Sequence, residues 1–308
     1  MKDFFSRFFP ELCAAVVAGI ILYFAPNFLA SGDKTAEEYF VSGNEKMDAQ
    51  NYDEAIKDYG EAIRLNSNYK EAYRKRADIY FELKKYEEAI SDYNQAIKLG
   101  VHEAAVYSNR GDSYALLNHY EKAVADFTQA MKLGMNDAVT YASRGIACYQ
   151  MKNYAQAVED FNAAISLGWK DDSSYTFCGL SNFHLQNYPQ AISNFEKALE
   201  LGRKDDVYLY RCLGNSYYYL QDYEQAVSIF TQALQVDPNY DIAYNNRGLC
   251  YANLGQYDEA LSDYEKAIEL NPNNTLAYGN RAEIYLKFGD NQKAAADLAK
   301  AKEIAEKQ

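Results

Sequence analysis

The stretch YNNRGLCYANLGQYDEALSDYEKAIELNP that begins at Tyr244 returns upstream and downstream at a period of 34 residues. Eight copies tile the chain as residues 36–69, 70–103, 104–137, 138–171, 172–206, 207–240, 241–274 and 275–308, and only the fifth carries an extra residue. A period of this length denotes a supersecondary unit that cannot bury its apolar surface alone and acquires a core by stacking on copies of itself.

With each copy numbered from 1, position 4 is tyrosine throughout, from Tyr39 to Tyr278, and position 8 is always Gly or Ala, as in Gly43 and Ala77. Position 17 is Tyr in seven copies, positions 20 and 27 are Ala in all eight, and position 24 is aromatic in seven, as in Tyr59 and Phe127. These steps explain much of a composition with 30 Tyr beside 15 Phe and one Trp. Positions 4, 8 and 11 share one helical face and 20, 24 and 27 another, which predicts two helices per copy. Small residues at 8, 20 and 27 permit close approach while rings fill the spaces between.

Two further regularities concern charge and helix ends. Position 7 is Arg in five copies (Arg76, Arg110, Arg144, Arg247, Arg281), and position 23 of the same copies is Asp (Asp92, Asp126, Asp160, Asp263, Asp297). The fifth and sixth copies lack both, with Cys178 and Asn194, then Leu213 and Ile229. Their covariation predicts an ion pair inside each hairpin. Copies two to five end Leu-Gly, as at Gly100 and Gly134, where glycine can stop a helix in the left-handed conformation.

Tyr at 4, Gly at 8, Tyr at 11, Ala at 20, an aromatic at 24 and Ala at 27 together resemble the tetratricopeptide repeat family over residues 36–308. The chain departs from the family's frequent proline at position 32, present only as Pro238 and Pro272. The resemblance implies an all-α fold, a right-handed α-solenoid of eight helix-turn-helix units. It also implies a concave groove lined by first-helix positions 2, 5, 6, 9, 12 and 13. On these positions the candidate peptide-binding residues are the aromatics Phe81, Tyr149, Phe177, Phe183, Tyr208, Tyr218 and Tyr219, with Asn109, Arg211, Asn215, Asn246 and Asn280 as polar contacts. Some members of the family clamp a peptide's terminal carboxylate, and Arg211, Asn215, Asn246 and Asn280 match that arrangement in part, whereas Leu276 stands where a cation is expected.

Before the repeats, residues 1–11 form a short leader, 12–30 an apolar run without charge, and 31–35 a linker. Nineteen residues at about 1.5 Å each reach roughly 28 Å, enough for one hydrophobic N-terminal helix to cross a bilayer. Lys2, Arg7 and the terminal amine precede the run, and Asp33, Glu37, Glu38 and Glu45 follow it with only Lys34 and Lys46, so the N-terminus is expected in the cytoplasm and the repeats on the opposite, periplasmic or extracellular side. The competing expectation is a cleaved secretory signal, with Ala30, Ser31 and Gly32 before Asp33, giving a secreted protein. Cys13 is read as a buried thiol rather than a lipidation site.

Chemistry-bearing patterns are absent. His102, His119 and His184 fall at different repeat positions, no glycine-rich phosphate loop occurs, and the five cysteines form no CxxC pair. The sequence therefore predicts no catalytic, cofactor-binding or metal-binding residue. Beyond the first 35 residues lie 28 basic and 41 acidic side chains, and a net charge of −13 disfavours nucleic acid and favours basic partners. The expected function is a membrane-anchored scaffold that binds proteins or peptides in its groove. The alternatives are an accessory or substrate-receptor subunit of an enzyme complex, and a self-assembling protein whose last copy, with Asn291 and Leu298 in place of rings, offers an uncovered face.

Overall fold

A computed structural model describes residues 34–307, and the expected N-terminal helix, with Cys13, lies outside the described residues. Those described residues form sixteen helices and no strand. In chain order these are α1 (Ala36–Asp48) and α2 (Tyr52–Leu65), α3 (Lys70–Glu82) and α4 (Tyr86–Lys98), α5 (Ala104–Leu116) and α6 (Tyr120–Lys132), α7 (Ala138–Gln150) and α8 (Tyr154–Ser166). They continue with α9 (Asp172–His184) and α10 (Tyr188–Glu200), α11 (Val207–Tyr219) and α12 (Tyr223–Val236), α13 (Asp241–Asn253) and α14 (Tyr257–Leu270), α15 (Thr275–Lys287) and α16 (Asn291–Ala305). Every first helix begins at position 1 of its repeat. None of the sixteen is long and apolar enough to cross a membrane.

The chain divides into two compact parts, one ending at His102 and the other beginning at Glu103. The first part holds the hairpins α1–α2 and α3–α4; the second holds the remaining six hairpins. Within each part, every second helix packs on its own first helix and on the first helix of the next hairpin.

Local chemistry sets the helix boundaries. Thr35 forms a capping box with Glu38, and Asp137, Asp171 and Asn274 each accept a bond from a backbone N–H three residues on. Each first helix stops where position 15 takes the left-handed conformation, and six of these eight residues are not glycine: Gln50, Lys84, Asn118, Lys152, Gln186 and Gln221 have φ near +60°. The next residue returns its N–H five residues back, as from Asn153 to the Cys148 carbonyl at 2.9 Å. Left-handed backbone costs a non-glycine residue roughly 1–2 kcal/mol, which the packed hairpin must offset. Gly100, Gly134, Gly168 and Gly202 end the second helices of repeats two to five at positive φ, as expected.

In the six hairpins with glycine at position 8, the ring at position 24 lies against it. A methyl group placed on Gly214 would come within 2.7 Å of Phe230, and one on Gly179 within 2.7 Å of Phe195. Removing the side chain at 8 lets the two helices close over the ring, and Tyr59, Tyr93, Phe127, Phe161, Phe195, Phe230 and Tyr264 are all buried. Burial of such a ring contributes about 1.5–3 kcal/mol.

The five Arg–Asp pairs form, each with two hydrogen bonds from one guanidinium to one carboxylate; in repeat four, Arg144 Nε and NH2 donate to the Asp160 oxygens at 2.9 and 2.6 Å. Each guanidinium also lies over the position-4 tyrosine of its own helix, at 5.5 Å for Arg110 over Tyr107 and Arg247 over Tyr244. Arg144 and Arg247 reach back to the hydroxyls of Thr128 and Thr231 on the preceding hairpin, so the pair also ties neighbours together. Hydrogen bonding to aspartate holds the Arg144, Arg247 and Arg281 guanidinium groups above their ordinary pKa. Repeats five and six substitute buried Cys178 and Leu213; Leu213 joins an apolar cluster from Leu180 to Cys250, and Cys178 packs in another with Cys148 and Phe161.

The Asp160 side chain is 1% exposed, so Arg144→Ala is expected to destabilise the α7–α8 hairpin by about 3–5 kcal/mol through a stranded charge. Arg144→Leu with Asp160→Ile, the pair that repeat six carries naturally, should restore most of the loss. Hydrogen exchange of α7 and α8 amides measures both, because repeats open locally; a cost below about 1 kcal/mol for Arg144→Ala would refute the assignment.

Candidate functional site

Eleven of the twelve candidate groove residues lie in the part that begins at Glu103; Phe81 lies in the other, on α3, half-buried against Tyr86 with ring centroids 6.0 Å apart. Asn109 is half-buried on α5, where its carbonyl accepts a bond from Ser113 Oγ. The structure brings five of the others to one cavity of about 570 Å³. Phe183 enters it from α9, Tyr208, Arg211 and Asn215 from α11, and Asn246 from α13, with the Asn271–Leu276 connection closing one side.

Arg211 sits at position 5 of its helix and its guanidinium lies 4.5 Å from the centre of the Tyr208 ring. Its protein partners are the hydroxyls of Tyr208 and Tyr240. Among the described residues it is the one arginine with no carboxylate within 4.0 Å. One helical turn on, Asn215 ends a chain of side-chain amides. Asn280 Nδ2 donates to Asn245 Oδ1 at 3.0 Å, Asn245 Nδ2 to Asn246 Oδ1 at 3.1 Å, and Asn246 Nδ2 to Asn215 Oδ1 at 3.0 Å. With its oxygen occupied, Asn215 presents its amide nitrogen beside a cation, a pair of donors suited to an acceptor or an anion. Asn280 thus joins the site through Asn245 while itself lining a separate 260 Å³ cavity with Glu283 and Lys287.

The aromatic candidates form a continuous band over repeats four to six. Tyr149 meets Phe177 at 5.3 Å, Phe177 stacks on Phe161 at 6.0 Å, Phe183 meets Tyr188 at 6.0 Å, and Tyr219 stacks on Tyr188 at 4.9 Å. Tyr149, Phe177, Phe183 and Tyr218 are half-buried in this band, so packing among helices accounts for much of their surface. Tyr208 and Tyr219 are the exposed members, at 40% and 54%. His184 stacks on Tyr154 at 4.4 Å, and burial, then Lys152, holds its imidazole below the ordinary pKa.

Several groove residues were not singled out from sequence. Asn245 links the amide chain, and its neighbour in sequence, Asn246, hid its separate role. Asp112, at position 9 of α5, has Ser143 nearby and no cation within 4.0 Å; burial pushes its carboxyl up to about 6, against a smaller lowering by Ser143. Ser143 in turn lines a 140 Å³ apolar pocket with Val139, Ile146, Trp169 and Phe177. The signal available was a lone acid at a groove position in a repeat otherwise neutral there. Elsewhere, burial raises Cys148 and Cys212 to about 11 and Cys178 and Cys250 to about 12, as inert core thiols. Among the described residues no cluster of His, Cys, Asp and Glu could hold a metal ion.

Comparison with protein families finds matches to tetratricopeptide repeat models at residues 40–104, 104–137, 138–167, 242–274 and 263–296, and to a further TPR repeat model at 214–255. No curated protein matches the sequence. Among solved structures, the C-terminal part of a TPR repeat-containing protein from Cytophaga hutchinsonii aligns with a TM-score of 0.60 at 24% identity, covering 73% of this chain and 92% of that one. The MamA protein aligns at 0.52 and 22% identity, over 55% of this chain and 92% of its own. At these identities the likeness is one of fold.

The Asp112 carboxyl yields a stability test. Its folded pKa of about 6 exceeds an unfolded value near 3.9, so the folded state binds more protons and loses stability as pH rises between them. Asp112→Asn is therefore expected to stabilise the protein by about 1–2 kcal/mol at pH 7, with the gain fading below about pH 4. Denaturant titrations at pH 4 and 7 check this; an equal effect at both values would contradict it.

Proposed function

We propose that this chain, a tetratricopeptide repeat protein, is a non-catalytic scaffold that binds a partner polypeptide along the first-helix face of residues 103–308, and that its N-terminal apolar run anchors it in a membrane. The observation that carries the binding proposal is the amide chain that ends at Asn215 beside Arg211, in a cavity of about 570 Å³. Backbone carbonyls and carboxylates of a polypeptide supply the acceptors that these donors lack. Exposed Tyr208 and Tyr219 offer ring faces of the kind that dominate binding energy at interfaces. The half-buried band beneath them keeps both rings in place at little entropic cost.

The anchoring proposal rests on the uncharged run Leu12–Ala30 and on Lys2 and Arg7 before it. In this arrangement the repeats stand on the far side of the membrane from the N-terminus, and the scaffold concentrates its partner near the bilayer.

Two measurements test these proposals. A photo-crosslinking residue placed at Tyr219 of the full chain is expected to trap a polypeptide in cells, whereas one at Glu121, on α6, is not; Tyr208→Ser with Arg211→Gln should weaken that capture at least about tenfold. Equal labelling at 121 and 219 would sink the groove assignment. The full chain should also stay with membranes through an alkaline carbonate wash, and its release into the supernatant would remove the anchor.

A further inference from the structure

The six groove positions of the first helices amount to thirty residues over repeats three to seven, and two of the thirty carry a charge: Asp112 in repeat three and Arg211 in repeat six. The chain as a whole is 24% charged, which would place about seven charges on thirty random positions. The groove is thus nearly cleared of charge, and the two that remain have opposite signs. Elsewhere in the same part of the chain buried charges are paired, as in Arg110–Asp126 and Arg247–Asp263. Asp112 has no cation and Arg211 no carboxylate within 4.0 Å. A partly desolvated charge without a counter-charge costs stability, which is the mark of a group kept for a ligand.

Between these two charges the first-helix positions 2, 5, 6, 9, 12 and 13 carry no charge, while Asp171 at a helix start borders the pocket next to Ser143 and Asp241, bonded by Asn271 and Asn274, borders the Arg211 cavity. Val139, Ile146 and Phe177 border the small pocket next to Ser143, and Phe183 and Tyr208 lead to the Arg211 cavity. Resting on the reading that the groove binds a polypeptide, we propose that it selects a partner segment by charge order, with a cationic side chain against Asp112, apolar or aromatic side chains between, and a carboxylate against Arg211 and Asn215. Successive first helices touch one another, and contacting helices lie about 8–10 Å apart. Three steps therefore separate the charges by roughly 25–30 Å, or about eight residues of extended chain. The overall charge of −13 draws a basic segment toward the protein, while the lone arginine demands an acid at one end of it. The sites give the segment a direction, because reversing it would oppose like charges at both ends.

The experiment uses the full chain in detergent and a synthetic library of random dodecapeptides, each made as a C-terminal acid and as a C-terminal amide. The expected enrichment is for peptides with Lys or Arg about eight residues from an acidic group, in one order only. Asp112→Asn should lose the cationic preference and keep the acidic one, Arg211→Gln the reverse, each weakening a selected peptide about tenfold. Asp112→Lys with Arg211→Glu should enrich the opposite order. Equal recovery of acid and amide forms assigns the carboxylate to a side chain, and loss on amidation assigns it to the chain terminus. Affinity of the wild type should fall from pH 7 to pH 5 as Asp112 protonates, and that of Asp112→Asn should not. Enriched peptides without charge order, bound equally by both single variants but lost with Tyr208→Ser and Tyr219→Ser, would overturn the charge-order proposal and leave the groove reading standing. Enriched peptides indifferent to all four residues, or no enrichment at all, would overturn both.

Discussion

The closest approach inside the hairpins with glycine at position 8, between that residue and the ring at position 24, governs the rest of the structure. With hydrogen at Gly214 the two helices close until Phe230 lies where a methyl group would stand, and at that separation alanines 20 and 27 suffice to fill the seam. Such a hairpin has covered only its inner face. Its other apolar surface must meet the next hairpin, which is why, within each compact part, a second helix also packs on the first helix that follows it. With these two interfaces fixed, positions 2, 5, 6 and 9 lie on one side of the first helices and vary from repeat to repeat, some buried as Leu180 and Cys212 and others accessible as Tyr208 and Ile146.

What the sequence made legible follows from this. All eight first helices begin where the 34-residue phase puts them, because the phase is set by intra-hairpin packing that recurs in every copy. The Arg–Asp pairs were legible for the same reason: both members lie in one hairpin, and repeats five and six lack both, while in repeat one Ser42 replaces the arginine and Asp58 pairs with Lys46 instead. Tyrosine at positions 4 and 11 gains a cause from the structure, since its rings flank the guanidinium, as Tyr107 and Tyr114 flank Arg110. The left-handed residue at position 15 escaped notice because Gln and Lys are not the residues that favour that backbone; tertiary packing, not local preference, holds it there.

The candidate site was legible only in outline. Arg211, Asn215, Asn246 and Asn280 occupy expected positions, yet their connection runs through Asn245 and crosses from α11 to α15, a geometry that no single-repeat pattern encodes. The expectation of exposed rings held for Tyr208 and Tyr219, while Tyr149, Phe177, Phe183 and Tyr218 are half-buried supports. Net charge concealed that first-helix positions 2, 5, 6, 9, 12 and 13 carry almost none over repeats three to seven.

Repeat six shows an arginine moved from a paired to an unpaired position. In five repeats arginine stands at position 7 and is held by the aspartate at 23; in repeat six, positions 7 and 23 are Leu213 and Ile229, both buried, and the arginine stands at position 5. Two residues on an α-helix are a rotation of about 200°, so the same side chain moves from the hairpin seam to the opposite face. The apolar pair keeps the seam closed without a charge, and the cluster from Leu180 to Cys250 absorbs it. Freed from an internal carboxylate, the guanidinium finds only tyrosine hydroxyls and a ring. Among the described residues no carboxylate lies within 4.0 Å of it, Asp241 on the same cavity being bonded by Asn271 and Asn274, and under the binding proposal a ligand carboxylate supplies the missing counter-charge.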